Sequence, residues 1–200
     1  TFGRVSLRGA VPLSWSLDHL GPMTRSVVDA ALLLEVLAGP DAGDPRTRAV
    51  PVPATRAGIE AGVKGLRIGV LEDDGEEEPL GALAAYQAWR SGLRSLEVAG
   101  AFLVPVDLPV MASLRILNGA ILAMEAAVYH TAMLRERSTD YGEFARLRLL
   151  TAHAYTSGAY LRAQQARAEC RRHFEQRCAG LDLLSTPTMP GSAPPLGEPA

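Results

Sequence analysis

Apolar and polar positions change their spacing several times along the chain, and each change predicts a new element. Residues 1 to 22 are punctuated by Gly3, Gly9, Pro12, Gly21 and Pro22, which predicts loops and short extended pieces. From Val27 the spacing becomes helical, with Val27, Ala30, Ala31, Leu34 and Leu37 on one face. Ser26 and Asp29 stand at capping-box-like spacing, with Thr24 as an alternative cap, and Gly39-Pro40 supplies the stop. Residues 40–65 carry Pro40, Pro45, Pro51 and Pro53 among charged side chains and predict a surface connection.

The run Leu66–Leu71 predicts a buried strand, residues 80–99 a helix ended by Gly100, and Ala101–Val106 a second strand. Strand, helix and strand within about forty residues form a βαβ unit, so a parallel pair is expected. The remainder predicts helices over 111–137, with Gly119 a candidate kink, then 143–151 and 155–178, before a third strand at Leu181–Ser185. Arg162, Arg167, Arg171, Arg172 and Arg177 spread around the last helix and interleave with Glu169 and Glu175, which predicts a solvated face. The fold class expected is α/β, a mixed sheet surrounded by helices.

Composition narrows the function. With 48% hydrophobic and 21% charged residues the chain can bury a core, and 22 acids against 20 Lys and Arg leave no electrostatic footprint for nucleic acid or an anionic membrane. No run approaches the roughly 18 apolar residues of a membrane span; Ala30–Ala38 and Ile121–Val128 are each broken by a glutamate, Glu35 and Glu125. We expect a cytoplasmic, soluble protein. Cys170 and Cys178 fall eight residues apart in one predicted helix. That is a separation of about 12 Å, too long for a disulfide. With His173 they lack a fourth ligand, which argues against zinc, and no metal or organic cofactor is expected.

Hydrolytic and nucleotide motifs are missing. There is no G-x-S-x-G elbow, H-E-x-x-H or phosphate loop, and the strand at Leu66–Leu71 is followed by the acidic run Glu72–Glu78, which repels phosphate. Ser14, Asp18 and His19 are too close in sequence to converge as a triad. His130 and His153 lie in helical segments as packed or surface residues. The single lysine, Lys64, sits in a Gly-flanked loop with nothing to lower its pKa.

Three blocks resemble the amidase signature family. They are Thr1-Phe2-Gly3-Arg4-Val5-Ser6 with Pro12–Arg25 and Asp29-Ala30-Ala31; Lys64–Val70; and Asp182–Pro190. Between them Glu125-Ala126-Ala127 with His130, Tyr141-Gly142, and Tyr160-Leu161 with Arg167 resemble its helical portion. The blocks span nearly the whole chain in family order. The resemblance implies hydrolysis of a small-molecule carboxamide by a serine nucleophile, a second serine held by a cis peptide and a neutral lysine, with a Gly/Ser-rich loop forming the oxyanion hole. It also implies that lysine and loop lie upstream of Thr1, so no catalytic residue is transferred to this chain. Residues 1–200 are then the C-terminal part of a single amidase-signature domain, incomplete and inactive alone, with an exposed apolar face and marginal solubility.

Asp18 matches an acidic position packing behind the serine loop; the residues alone allow a turn or cap before Gly21-Pro22. Thr186 and Met189, at a strand end, are candidate edges of the substrate pocket. A homodimer is the candidate assembly. Two other functions stay open: the glutaminase-type component of a tRNA-dependent amidotransferase, and a degenerate, non-catalytic binding module. The Pro-Leu-Ser-Trp-Ser block and the Lys-poor chain resemble a free-standing amidase more.

Overall fold

The structure is a computed structural model of the chain and describes residues 2–52, 54–71 and 83–187. The acidic run after Leu71 and the pocket candidate Met189 lie outside the described residues. The chain separates into two compact units, residues 1–61 with 117–164, and residues 62–116 with 165–200.

In the first unit, the loop segment of residues 2–26 leads into α1 (Val27–Leu37). Ser26 is extended, and its hydroxyl accepts from the Asp29 N–H at 3.1 Å, so it is the N-cap. Thr24 instead donates its hydroxyl to the Ser26 carbonyl at 2.7 Å. The helix ends where Ala38 bridges Val5 antiparallel and the Gly39 N–H donates to the Arg4 carbonyl at 3.0 Å. The connection that follows is more ordered than its proline content suggests, with a 3-10 helix over Thr55–Ala61. Glu35 explains it: its carboxylate accepts from the Thr55 hydroxyl (3.2 Å), the Arg56 N–H (2.9 Å) and the Arg56 guanidinium (2.8 Å).

Three further helices contribute to this unit. Helix α3 (Met111–Arg137) passes through Gly119 as one uninterrupted helix, α4 is Glu143–Ala152, and α5 is Ser157–Arg177. Ile121 is fully buried with Met124 and Ala163, and Leu17, Leu117, Ala159 and Tyr160 close around them. Farther along α3, Ala126 and Leu134 pack with Leu149 and Tyr141. None of the described helices is long and apolar enough to cross a membrane.

The second unit holds the βαβ. Strands β1 (Arg67–Val70), β2 (Phe102–Pro105) and β3 (Leu183–Ser185) pair in the order β2-β1-β3, and both pairings are parallel. Among the described residues, the antiparallel pairing outside this sheet is the isolated Val5–Ala38 bridge. Central position explains composition: Ile68, Val70 and Leu71 are buried, as a strand covered on both faces requires. Helix α2 (Leu83–Val98) joins β1 to β2, and its Trp89 indole donates to the Ser185 hydroxyl at 3.0 Å. On α5, Arg171 pairs with Glu175, Arg172 with Glu169, and all four side chains are exposed, a solvated face as the charge pattern predicts.

Gly69 shows how closely this unit packs. A Cβ built there would stand 2.5 Å from Leu181 Cδ1, 2.9 Å from Val106 Cγ2 and 3.1 Å from Leu184 Cδ1. Side chains converge where the central strand has none. Gly69→Ala is expected to destabilise by about 1–3 kcal/mol through overpacking. Urea unfolding checks this, and an unchanged midpoint would show that the neighbours yield freely.

Candidate functional site

The segment from Pro12 to Asp18 is held from both ends and from below. Asp18 folds back on its own loop: one carboxylate oxygen accepts the Leu13 N–H at 2.8 Å and the other the Ser14 N–H at 3.0 Å. The Asp18 N–H in turn donates to the Ser14 carbonyl at 2.9 Å. These contacts shape the loop from within, as an Asx-type cap does.

Beneath the loop stands Glu125 of α3. One oxygen accepts from the Ser14 hydroxyl (2.7 Å) and the Ser16 N–H (2.8 Å), the other from the hydroxyls of Ser16 (2.7 Å) and Tyr160 (2.7 Å). Four donors match the four lone-pair directions of a carboxylate, so the group is saturated as an ion. Ser14 is 1% exposed. Burial pushes the Glu125 pKa up, but the donors from Ser14, Ser16 and Tyr160 outweigh it and hold the carboxyl below its usual range. One and a half turns along α3, His130 is buried and contacts the Pro12 carbonyl through Nε2 (3.1 Å) and the Tyr141 hydroxyl through Nδ1 (2.7 Å). A carbonyl only accepts, so Nε2 donates to Pro12 and Nδ1 accepts from Tyr141.

A second carboxylate anchors the start of the chain. Asp44 is 2% exposed and accepts from the Leu7 N–H (2.8 Å), the Arg46 N–H (3.1 Å) and two nitrogens of the Arg46 guanidinium (2.7 and 3.1 Å). Arg46 and the Leu7 N–H hold the Asp44 pKa far below the carboxylate range. The guanidinium carbon lies 4.2 Å from the centre of the Trp15 ring, a cation–π contact that joins this turn to the loop. Asp41 accepts from the Ser6 hydroxyl (2.7 Å) and the Gly43 N–H (2.8 Å), which lower its pKa too.

These shifts fix a pH dependence. A carboxyl whose pKa is lower in the folded state stabilises the fold fully above its unfolded pKa and loses that contribution as pH falls through the folded one. Stability is therefore expected to be flat from neutral pH down to about pH 5 and to fall below about pH 4. Urea midpoints measured against pH check this, and Glu125→Gln should make the acid limb shallower.

Two recesses adjoin the loop. A cleft of about 570 Å³ is lined by Trp15, Met124, Tyr129, Tyr155 and Tyr160 above Glu125. A smaller one of about 150 Å³ is lined by Pro12, Asp18, His19 and Arg46. Ser14, Asp18 and His19 do not converge: His19 Nδ1 meets the Leu17 carbonyl at 2.5 Å, while Ser14 and Asp18 have the partners given above. Lys64 is exposed in its loop. His153 bonds the Leu149 carbonyl (2.9 Å) and the Thr131 hydroxyl (3.1 Å). Cys170 and Cys178 are free thiols, and burial pushes Cys178 up. Among the described residues no cluster of His, Cys, Asp and Glu is arranged to hold a metal. Thr186 belongs to the second unit and is exposed.

Glu125, Asp44 and Arg46 carry roles that the sequence reading did not assign, although Glu125 stands in the family-like block Glu125-Ala126-Ala127. Glu125 had a usable signal, a lone acid in the apolar run Ile121–Val128, since a charge there needs partners.

The amidase family model matches residues 1–200. An amidase of Pseudomonas putida is 39% identical over 204 residues, covering 99% of this chain and 42% of the relative. A glutamyl-tRNA(Gln) amidotransferase component of Myxococcus xanthus is 36% identical, covering 99% and 45% respectively. Among solved structures, a chain of a vestigial protein complex bearing on the origins of an s-triazine catabolic enzyme superposes with a TM-score of 0.88 at 32% identity. It covers 99% of this chain and 42% of its own length. The chain thus spans less than half the length of the relatives it matches. The family model spans residues 1–200 and the relatives cover 99% of the chain, and the chain belongs to the amidase signature family.

Proposed function

We propose that this chain is the supporting and substrate-pocket portion of an amide hydrolase, which converts a small carboxamide to a carboxylic acid and ammonia or an amine. The observation that carries the proposal is the loop 13–18, held by Asp18 from within and by Glu125 from α3, inside a family match over every residue. An amide is a poor electrophile, so its hydrolysis needs an activated nucleophile and preorganised oxyanion donors. Such groups work only when the backbone behind them does not move, and saturated carboxylates under a loop supply that rigidity. In this proposal Asp18 supports the active site, Thr186 and Met189 edge the pocket, and the serine pair and lysine come from sequence upstream of Thr1. The protein works in the cytoplasm without metal or organic cofactor.

Ammonia release from simple amides tests the proposal. The purified 200-residue chain is expected to give none. A longer polypeptide that adds the lysine and the Gly/Ser-rich loop is expected to turn over, with kcat lowered by Asp18→Asn. Robust turnover by the 200 residues alone would overturn it. The amidotransferase relatives at up to 36% identity support a second reading, a glutaminase working within an amidotransferase, and co-purification with a partner protein separates the two.

A further inference from the structure

The cleft of about 570 Å³ beside the loop is walled by rings. Trp15, Tyr129, Tyr155 and Tyr160 line it, with Met124 among them, and all of them belong to the first compact unit. A concave, mostly apolar site of some hundreds of Å³ suits a small molecule. A benzene ring fills a cavity of roughly 150 Å³, so the cleft has room for a ring and a carboxamide beside it. Charge narrows the ligand further. The Glu125 carboxylate in this cleft already accepts four hydrogen bonds, one of them from the Tyr160 hydroxyl. His153 in its wall bonds the Leu149 carbonyl and the Thr131 hydroxyl. No lysine or arginine stands among the described lining residues. The cleft therefore suits a neutral group.

Trp15 selects the shape of that group. Asp44 grips Arg46 through two guanidinium nitrogens, and the guanidinium carbon lies 4.2 Å from the centre of the Trp15 ring. One face of the indole is thereby taken and the ring is held in place, while the residue stays 54% exposed. The cleft meets what is left, the opposite face and the edge. A fixed indole among three phenols favours a planar ring, because aromatic pairs gain more than their buried area alone supplies. Holding the indole in advance also lowers the entropy lost on binding. We infer that this cleft takes the aromatic ring of an aryl-bearing primary carboxamide, with Trp15 the residue that selects it. The inference rests on the hydrolase proposal above and names its substrate class.

The test uses phenylacetamide, with acetamide and cyclohexylacetamide for comparison. Saturation-transfer NMR on the 200-residue chain is expected to show saturable binding of phenylacetamide, at least about tenfold tighter than acetamide. Cyclohexylacetamide, of similar size but without a ring face, should bind at least about threefold more weakly than phenylacetamide. Trp15→Leu is expected to erase that threefold preference, whereas Trp15→Tyr retains it. Because Trp15 is half exposed, the helical circular dichroism of both variants should match the parent. In the longer polypeptide, the ratio of kcat/KM for phenylacetamide over acetamide should be at least about ten and should fall at least about threefold with Trp15→Leu. The inference is overturned by the absence of saturable binding, by cyclohexylacetamide binding as tightly as phenylacetamide, or by binding indifferent to Trp15→Leu. A kcat/KM ratio that Trp15→Leu leaves unchanged overturns it as well, since the cleft is then filled by other sequence. Binding through Trp15 without any ammonia release by the longer polypeptide would sink the hydrolase proposal and leave the ring site standing. Ammonia release with an unmoved ratio would do the reverse.

Discussion

Replacing Glu125 with alanine is expected to cost the fold about 3–5 kcal/mol. The substitution removes the acceptor of four hydrogen bonds, among them that of the buried Ser14 hydroxyl. Each buried donor left unpaired costs about 1–3 kcal/mol, and bonds to a charged partner stand at the upper end. A loss of this size is a large fraction of the 5–15 kcal/mol typical of a domain, so the variant should melt roughly 10 °C lower or fail to fold. Glu125→Gln keeps the shape and one acceptor oxygen and should lose less. Urea unfolding of both variants measures the effect. A cost under about 1 kcal/mol for the alanine would mean that the loop finds other partners and that Glu125 is no hub.

The second large effect is expected at Gly3. Its φ of +77° lies in the left-handed region, and a Cβ there would stand 2.5 Å from the Arg46 carbonyl oxygen. The Arg48 N–H donates to the Gly3 carbonyl at 2.9 Å, so the two strands of chain cannot separate without breaking that bond. Left-handed backbone costs a non-glycine residue about 1–2 kcal/mol, and displacing a backbone carbonyl adds to it. We expect about 2–4 kcal/mol for Gly3→Ala. Gly9 is the control: its φ is +87°, but nothing lies within 4 Å of its Cβ position, so Gly9→Ala should show the conformational part alone, about 1 kcal/mol. Equal costs at the two positions would refute the clash.

How much of this was legible follows from the range of the interactions. The βαβ unit and the helices of the second half appear in the sequence because periodicity and Gly/Pro stops are local, and the strand register Ile68–Leu103 follows once they pair. The cap by Ser26 was legible for the same reason. Asp18 was singled out by its match to an acidic position of the family, while the residues alone suggested a turn or cap before Gly21-Pro22; its partners Leu13 and Ser14 lie five and four residues away. Glu125 reaches Ser14 and Ser16 across 111 and 109 residues, and His130 reaches Pro12 across 118, and no spacing rule sees that far. Asp44 failed differently. Its charge and the neighbouring prolines suggest a solvated connection, yet four N–H donors, three of them from Arg46, let the carboxylate sit inside.

The chain has two tryptophans, and each unit holds one. Trp15 lies under the Arg46 guanidinium beside the loop, and Trp89 bonds Ser185 at the edge of the sheet. The molecule therefore carries a separate fluorophore for each half. With Trp15→Phe and Trp89→Phe, emission follows one unit at a time, and superimposable or split denaturation curves report whether the two halves melt as a single cooperative body.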